Sequence, residues 1–551
     1  MTEPRSGEGA VTVGQRLIWA GQQLTPDSPL YNMAVRADFS TALDPARFRD
    51  AFESVAERSD ALRAVFSSRA GALVQDVRPD VPAGLEEVDL SGEADPEEAT
   101  RRWIEERVRR PLDLGRTSYD TALLRLGPER WTWLFNQHHV ATDAWSEALL
   151  YRLVGEAYAG AASSTPLPAF AEHVAFERRN TETPSFARAR EHWRAKERSA
   201  GPPLRLYGRA ATSERGESRR FPAPLGPDRM GRLARLAETD GVRLLTPELT
   251  YFSLFATAFT AWLARVSGER TVTLGSPSHN RRTPRARETL GLFVEVFPLG
   301  VTLQEGETFR SLLARVTEET RSFVLHGQPG ASTPASVRLF NVVLNYLNVS
   351  FGPFGDIPAH VEWVHPGASD PGHAVRVHVH DLNGTGELEV LFDVNASLFD
   401  AETASRLPRH WLRVLDALLD DLDAVVDRLP LALDDEAGVQ LTAARRRDAP
   451  PADRATVVSL FDGQAGRTPD ALALRLGETT VTYGELRARA ETTARALAER
   501  GIGPGDRVGV HAPRSVEMVV AVLGILRAGA AYVPLEAGPV AYTHLTLPTT
   551  D

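Results

Sequence analysis

The sequence predicts an α/β protein of two main lobes, followed by the start of a further α/β module. Three observations carry that fold class. The 551 residues exceed what one ordinary hydrophobic core organises. Hydrophobic residues at 42% against charged residues at 25% describe a globular chain. Segments with strand character also alternate with segments of helical period. Trp131-Thr132-Trp133-Leu134-Phe135 is short, aromatic and branched, as a buried strand is. Beyond it Trp145, Leu149, Leu150, Leu153, Val154 and Ala157 recur at helical spacing.

Taken in order, residues 11–178 alternate strand and helix patterns and form the first lobe. The polar, Arg-rich and Pro-containing stretch from about 178 to 218 reads as a crossing between lobes. With that crossing, residues 179–432 make a second α/β lobe, which finishes in the helical run Ala401–Leu422. A linker occupies 433–455, where Ala443-Ala444-Arg445-Arg446-Arg447-Asp448-Ala449-Pro450-Pro451 carries the charge and proline of a boundary. Another module starts at 456 and runs to 538. The last stretch, 539–551, is expected to be a non-native tail, because Ala541 to Asp551 fits no neighbouring pattern.

Composition narrows the function classes. A net charge of −11 with no basic run argues against nucleic acid as a partner. No apolar run reads as long enough to span a bilayer, and Met1-Thr2-Glu3-Pro4 lacks a signal-peptide pattern. The chain has no cysteine, which excludes disulfides and a cysteine acyl-enzyme and suits a cytoplasmic enzyme.

The chemistry concentrates in His138-His139-Val140-Ala141-Thr142-Asp143, where the strand meets the helix. Asp143 is placed to cap that helix, so two imidazoles and a carboxylate are held between rigid elements. A purely structural pair is one reading. A metal site is disfavoured, since adjacent residues of an extended chain face opposite ways and no thiolate is available. A nucleophilic triad lacks the G-x-S-x-G elbow. What remains is one imidazole acting on a substrate and one packing behind it.

His138-His139-x-x-x-Asp143 resembles the HHxxxDG signature of nonribosomal peptide synthetase condensation domains, relatives of chloramphenicol acetyltransferase. Gly14-Gln15-Arg16-Leu17-Ile18-Trp19 looks like a shortened form of the family's opening A-Q-x-R-L-W segment. Arg58-Ser59-Asp60-Ala61-Leu62-Arg63-Ala64-Val65-Phe66 matches its R-H-E-x-L-R-T-x-F element. Leu290-Gly291-Leu292-Phe293-Val294-Glu295-Val296 stands where the family has I-G-x-F-V-N-T. The resemblance covers roughly residues 11–435. Farther on, Val481-Thr482-Tyr483-Gly484-Glu485-Leu486 and Leu526-Arg527-Ala528-Gly529-Ala530-Ala531-Tyr532-Val533-Pro534-Leu535 resemble the first two core motifs of adenylation domains. The phosphate loop and the amino-acid pocket of that family do not follow, so this fragment is not expected to adenylate.

The resemblance implies two acetyltransferase-like lobes in a V-shaped pseudodimer, with the histidine motif at their junction. It implies a carrier-dependent acyltransferase that forms an amide between a donor acyl thioester and an acceptor aminoacyl thioester. No cofactor is expected in the condensation domain itself. The substrates ride on the 4'-phosphopantetheine of partner carrier domains. Few residues precede the first motif, so the donor is expected in trans, on an upstream carrier protein or as an acyl-CoA. The acceptor comes from a downstream carrier domain. The reactive histidine of the family corresponds to His139, as base or as positioner of the amine. His138 and Asp143 are read as structuring the site. Arg281, in Gly275-Ser276-Pro277-Ser278-His279-Asn280-Arg281, is nominated as the partner of Asp143.

Three departures stand out. Ala144 replaces the family's glycine, and its methyl is expected beside the tunnel. Glu295 replaces an asparagine. Asn341-Val342-Val343-Leu344-Asn345-Tyr346-Leu347-Asn348 is similar to a segment of epimerization domains, but the order of modules favours condensation. An ester product from a hydroxy acceptor and a silent recruitment platform are the alternatives.

Overall fold

The computed structural model describes residues 10–80, 84–161, 163–210, 216–436 and 455–535. The chain divides into two compact units, Met1–Leu433 and Asp434–Asp551. Most of the expected linker 433–455 and the whole expected tail 539–551 lie outside the described residues.

The first unit opens with helix α1 (Val13–Leu24), strand β1 (Asn32–Phe39) and helix α2 (Pro45–Arg58). The hairpin β2 (Ala64–Arg69) and β3 (Ala72–Val77), strand β4 (Glu86–Asp89) and helix α3 (Pro96–Val108) follow. Strands β5 (Tyr119–Gly127) and β6 (Arg130–His138) lead into helix α4 (Ala144–Tyr158). Then come helices α5 (Phe170–Asn180) and α6 (Pro184–Ser199), strand β7 (Ser218–Pro222), and helices α7 (Gly226–Ala237) and α8 (Pro247–Ser267). Strand β8 (Thr271–Ser278), the short helix α9 (Pro284–Arg287), strand β9 (Glu295–Thr302) and helix α10 (Phe309–His326) continue the chain. It closes with β10 (Val342–Leu347), β11 (Ala359–Val364), β12 (Val375–His380), β13 (Glu389–Asn395) and helix α11 (Ala401–Asp420).

Side-chain caps fix most helix starts. Thr12, Asp44, Asp95, Asp143, Thr183, Thr246, Thr308 and Asp400 each accept a backbone N–H of the first turn. Pro45, Pro96, Pro184 and Pro247 follow their caps, where the missing N–H costs nothing.

Two sheets organise this unit. The first has the order β11-β1-β6-β5-β4, the second β7-β13-β12-β10-β8-β9. A boundary near residue 178 therefore does not separate the sheets: β11, far along the chain, pairs antiparallel with β1, Ala34 against Val364. Phe354 travels with that excursion and packs among Phe48, Trp133 and Tyr151 in the core of the first sheet. Each such aromatic ring contributes on the order of 2–3 kcal/mol through burial alone.

The core of the second sheet is built around α8, with Phe259 stacked on Trp411 at a centroid distance of 4.8 Å. This helix corrects the sequence expectation that no segment could span a bilayer. Its 21 residues are long and apolar enough by composition. They are apolar because α10, α11 and the sheet cover them, and 72% of its most hydropathic window is buried.

In the second unit a helix Val457–Arg467, an antiparallel strand pair and a parallel strand pair, Arg507–His511 with Ala531–Leu535, pack with two further helices. Val457, Leu460, Leu472, Leu476, Tyr532 and Val533 are exposed there.

Candidate active site

The register of the first sheet sets the site. Asn32 of β1 pairs with His138, the last residue of β6. A turn closes with Ala141 N–H donating to the His138 carbonyl at 2.9 Å, and α4 starts at Ala144. The His139 N–H donates to the Tyr31 carbonyl at 2.8 Å, which aims the two imidazoles differently.

His138 is buried and both its ring nitrogens are used. Nδ1 accepts the Val140 N–H at 3.1 Å, and Nε2 lies 3.2 Å from the Gln22 amide oxygen. The Gln22 amide nitrogen donates to the carbonyls of Thr25, Pro26 and Ser28, so its oxygen faces the histidine and Nε2 carries the hydrogen. Burial pushes its pKa down to about 3, so it is neutral at physiological pH.

His139 is half-buried and lines a cavity between the two sheets. Its Nδ1 sits 2.7 Å from the Thr142 carbonyl, which can only accept. Nδ1 therefore carries the hydrogen and leaves the Nε2 lone pair free. Burial lowers its pKa. The Thr142 carbonyl and the Asp143 charge pull upward, and the Arg376 charge pushes down again. Ala144 lines the same cavity, with its methyl one residue beyond Asp143.

Asp143 points away from that lone pair into a buried network. Its carboxylate caps α4 through the Ser146 N–H at 2.9 Å and accepts the Phe293 N–H at 2.9 Å. One Arg281 nitrogen reaches both carboxylate oxygens, at 2.9 and 3.2 Å. Arg281 is fully buried. It also donates to the carbonyls of Ala286 and Thr289, both at 2.6 Å, and stacks on Phe293 at 3.9 Å from the ring centre. Burial alone would raise the Asp143 pKa, but Arg281 and the two N–H donors hold it below the usual carboxylate value. Gly291 closes the network: its N–H and carbonyl both meet the Ser146 hydroxyl. Its φ of +141°, and the 2.1 Å at which any Cβ there would meet Phe170, leave room for glycine alone.

Glu295 accepts the Gly330 N–H at 2.7 Å, the Ser332 N–H at 3.1 Å, the Ser332 hydroxyl and the Asn280 amide at 3.2 Å. It ties the start of β9 to the 330–332 loop.

Sequence reasoning missed the far wall of the cavity. There Asp393 of β13 accepts from Arg220 Nε and Nη2 at 2.8 and 2.9 Å and from His378 Nε2 at 3.0 Å, and Arg376 stands beside His378 on β12. The signal lies in Val375-Arg376-Val377-His378-Val379-His380. Strict alternation of branched and polar residues inside a core sheet marks a strand with one face on a polar cavity.

Glu147 sits one helical turn from Asp143, is buried, and has one oxygen without a partner among the described residues. Burial, helped by the Asp143 charge, raises its pKa to about 8. Its folded value exceeds the ordinary 4.5, so it stabilises the fold least above pH 8. Glu147→Gln, neutral throughout, is expected to gain on wild type as pH rises from 5 to 9, by on the order of 3–4 kcal/mol. Urea unfolding at both pH values measures this, and parallel behaviour of the two proteins would refute it.

The described residues contain no cluster of three or more metal-ligating side chains. The geometry supplies one free imidazole lone pair on a cavity, with a buried ion pair holding the adjoining helix start.

Comparisons with known proteins agree with this arrangement. The Condensation domain family model matches residues 6–441, and the AMP-binding enzyme model matches residues 461–544, a partial region. A linear gramicidin synthase of Brevibacillus parabrevis is 26% identical over 551 aligned residues, 95% of this chain and 10% of that protein. The isonitrile lipopeptide synthase of Streptomyces coeruleorubidus is 28% identical, over 95% of this chain and 35% of that protein. The chain thus spans from about a tenth to about a third of these relatives. The starter condensation domain of rhizomide synthetase in complex with C8-CoA superposes with a TM-score of 0.66 at 24% identity, covering 77% of this chain and 98% of that one. The first condensation domain of the calcium-dependent antibiotic synthetase with a substrate analogue also gives 0.66, at 22% identity, covering 78% and 100%. At these identities the structures establish the fold.

Proposed function

The chain belongs to the condensation-domain family, and we propose that it joins a donor acyl thioester to the amine of an acceptor aminoacyl thioester, forming an amide. The donor arrives on the phosphopantetheine of a carrier protein or as an acyl-CoA, and the acceptor on a carrier domain. The single observation that carries this reading is the free Nε2 of His139, whose tautomer is fixed by the Thr142 carbonyl.

In this scheme the amine nitrogen attacks the thioester carbonyl carbon while His139 Nε2 accepts the nitrogen's proton. The carbon–sulfur bond then breaks, and the proton passes to the departing thiolate. A neutral imidazole is required at the start, and burial favours that state. Holding two tethered reactants in line contributes as much as the proton transfer. The Asp143–Arg281 pair acts on neither substrate. It fixes the start of α4 and hence the turn that carries His139. His138 backs that turn through Gln22. Ala144 narrows the cavity by one methyl.

The test supplies the 551-residue chain with an aminoacyl carrier protein and a panel of acyl thioesters, and reads intact carrier mass. A carrier heavier by the acyl group is expected, and mild base, which cleaves the carrier thioester, should release the intact N-acyl amino acid. A folded protein that yields no such product across the panel, or one from which base also frees the donor acid, would overturn amide formation.

A further inference from the structure

The cavity beside His139 holds one cation without a partner among the described residues. The other charged groups on its wall are matched: Asp143 by Arg281 at 2.9 Å and Asp393 by Arg220 at 2.8 Å. His378 donates to Asp393 and accepts from the Asn345 amide at 3.2 Å, which fixes it as a neutral ring. Arg376 is different. It is half-buried, lines the same cavity, and makes no hydrogen bond or ion pair among the described residues; its Nε is buried and unmet. Asp370 acts on it only from beyond ion-pair range, and its carboxylate already accepts the Gly372 N–H at 2.8 Å. A guanidinium in a cavity wall without an acceptor is costly. Its planar fork of donors matches a carboxylate in two-point geometry.

We propose that Arg376 is a specificity-determining residue, receiving a carboxylate carried on the side chain of one of the two substrates. This rests on the condensation reading and gives it a substrate class: an acidic acyl donor or an acidic aminoacyl acceptor. The arrangement also couples recognition to chemistry. The Arg376 charge disfavours protonation of His139, and a bound carboxylate would cancel that effect. The imidazole then becomes a stronger base when the correct substrate is present.

The experiment uses the full chain as wild type, Arg376→Gln and Arg376→Lys, with matched pairs differing only in carboxylate against carboxamide. In the donor arm these are glutaryl and glutaramoyl pantetheine thioesters; in the acceptor arm, glutamyl and glutaminyl carrier proteins. Wild type is expected to favour the carboxylate member of one arm by about 10- to 100-fold. Arg376→Gln is expected to abolish that preference, read as the carboxylate-to-carboxamide ratio within the variant, and Arg376→Lys to keep part of it. Calorimetric binding of the corresponding non-reactive pantetheine amides reads the same preference without turnover. No preference in either arm, or a preference that survives Arg376→Gln, would overturn the proposal. A binding preference without condensation would instead fail the condensation reading and leave the Arg376 site standing.

Discussion

His139→Ala is expected to lower the single-turnover rate of condensation by about 10²- to 10⁴-fold at neutral pH. The expectation follows from the two rings of the histidine pair. His138 spends both nitrogens inside the fold, on the Val140 N–H and the Gln22 amide. His139 spends one on Thr142 and presents the other to the cavity. Removing the half-buried His139 ring deletes a single hydrogen bond to a turn that other contacts hold, so the unfolding midpoint should stay close to wild type. His138→Ala should behave oppositely, losing stability first. Equal losses of rate and stability in both variants would mean that the pair has no division of labour.

Arg281→Met is expected to cost about 3–5 kcal/mol of stability, the second large effect. The substitution keeps the apolar stem but leaves Asp143 buried and charged without its counter-ion. The carbonyls of Ala286 and Thr289 lose their donor as well. Because the folded Asp143 pKa is held below its ordinary value, the pair's contribution is present at neutral pH. It fades only as acid passes below the normal carboxylate range. Replacing both partners by apolar residues, Asp143→Leu with Arg281→Met, should cost less than the sum of the single changes. Urea unfolding of the four proteins measures the coupling, and strict additivity would show that the pair contributes nothing as a pair.

Much of this architecture is legible in the sequence because it is local. The strand before His138, the helix after Asp143 and the cap between them depend on residues within one turn of each other. Arg281 follows from the resemblance, and it lies 2.9 Å from Asp143 across 138 positions of chain. Two features escape because they are non-local. Ala359–Val364 reads as any amphipathic strand, and nothing in its composition says that it joins β1 rather than its sequence neighbours. Arg376 and His378 show the alternation of a strand, but that their face lines a cavity follows only once the topology sets β12 between β10 and β13 in a covered sheet. Glu295 is visible as a departure, but its role needs the 330–332 loop, whose donors only the fold brings to it.

The central claim is that His139 waits as a neutral imidazole with hydrogen on Nδ1 and a lone pair on Nε2. Ring ¹⁵N chemical shifts of histidine-labelled protein, assigned by difference from His139→Ala, test it without any substrate. The expected spectrum shows one protonated and one bare nitrogen for His139 at neutral pH, with its protonation midpoint below the ordinary value near 6.5. A midpoint at or above that ordinary value, or hydrogen on Nε2 in the neutral ring, would contradict it.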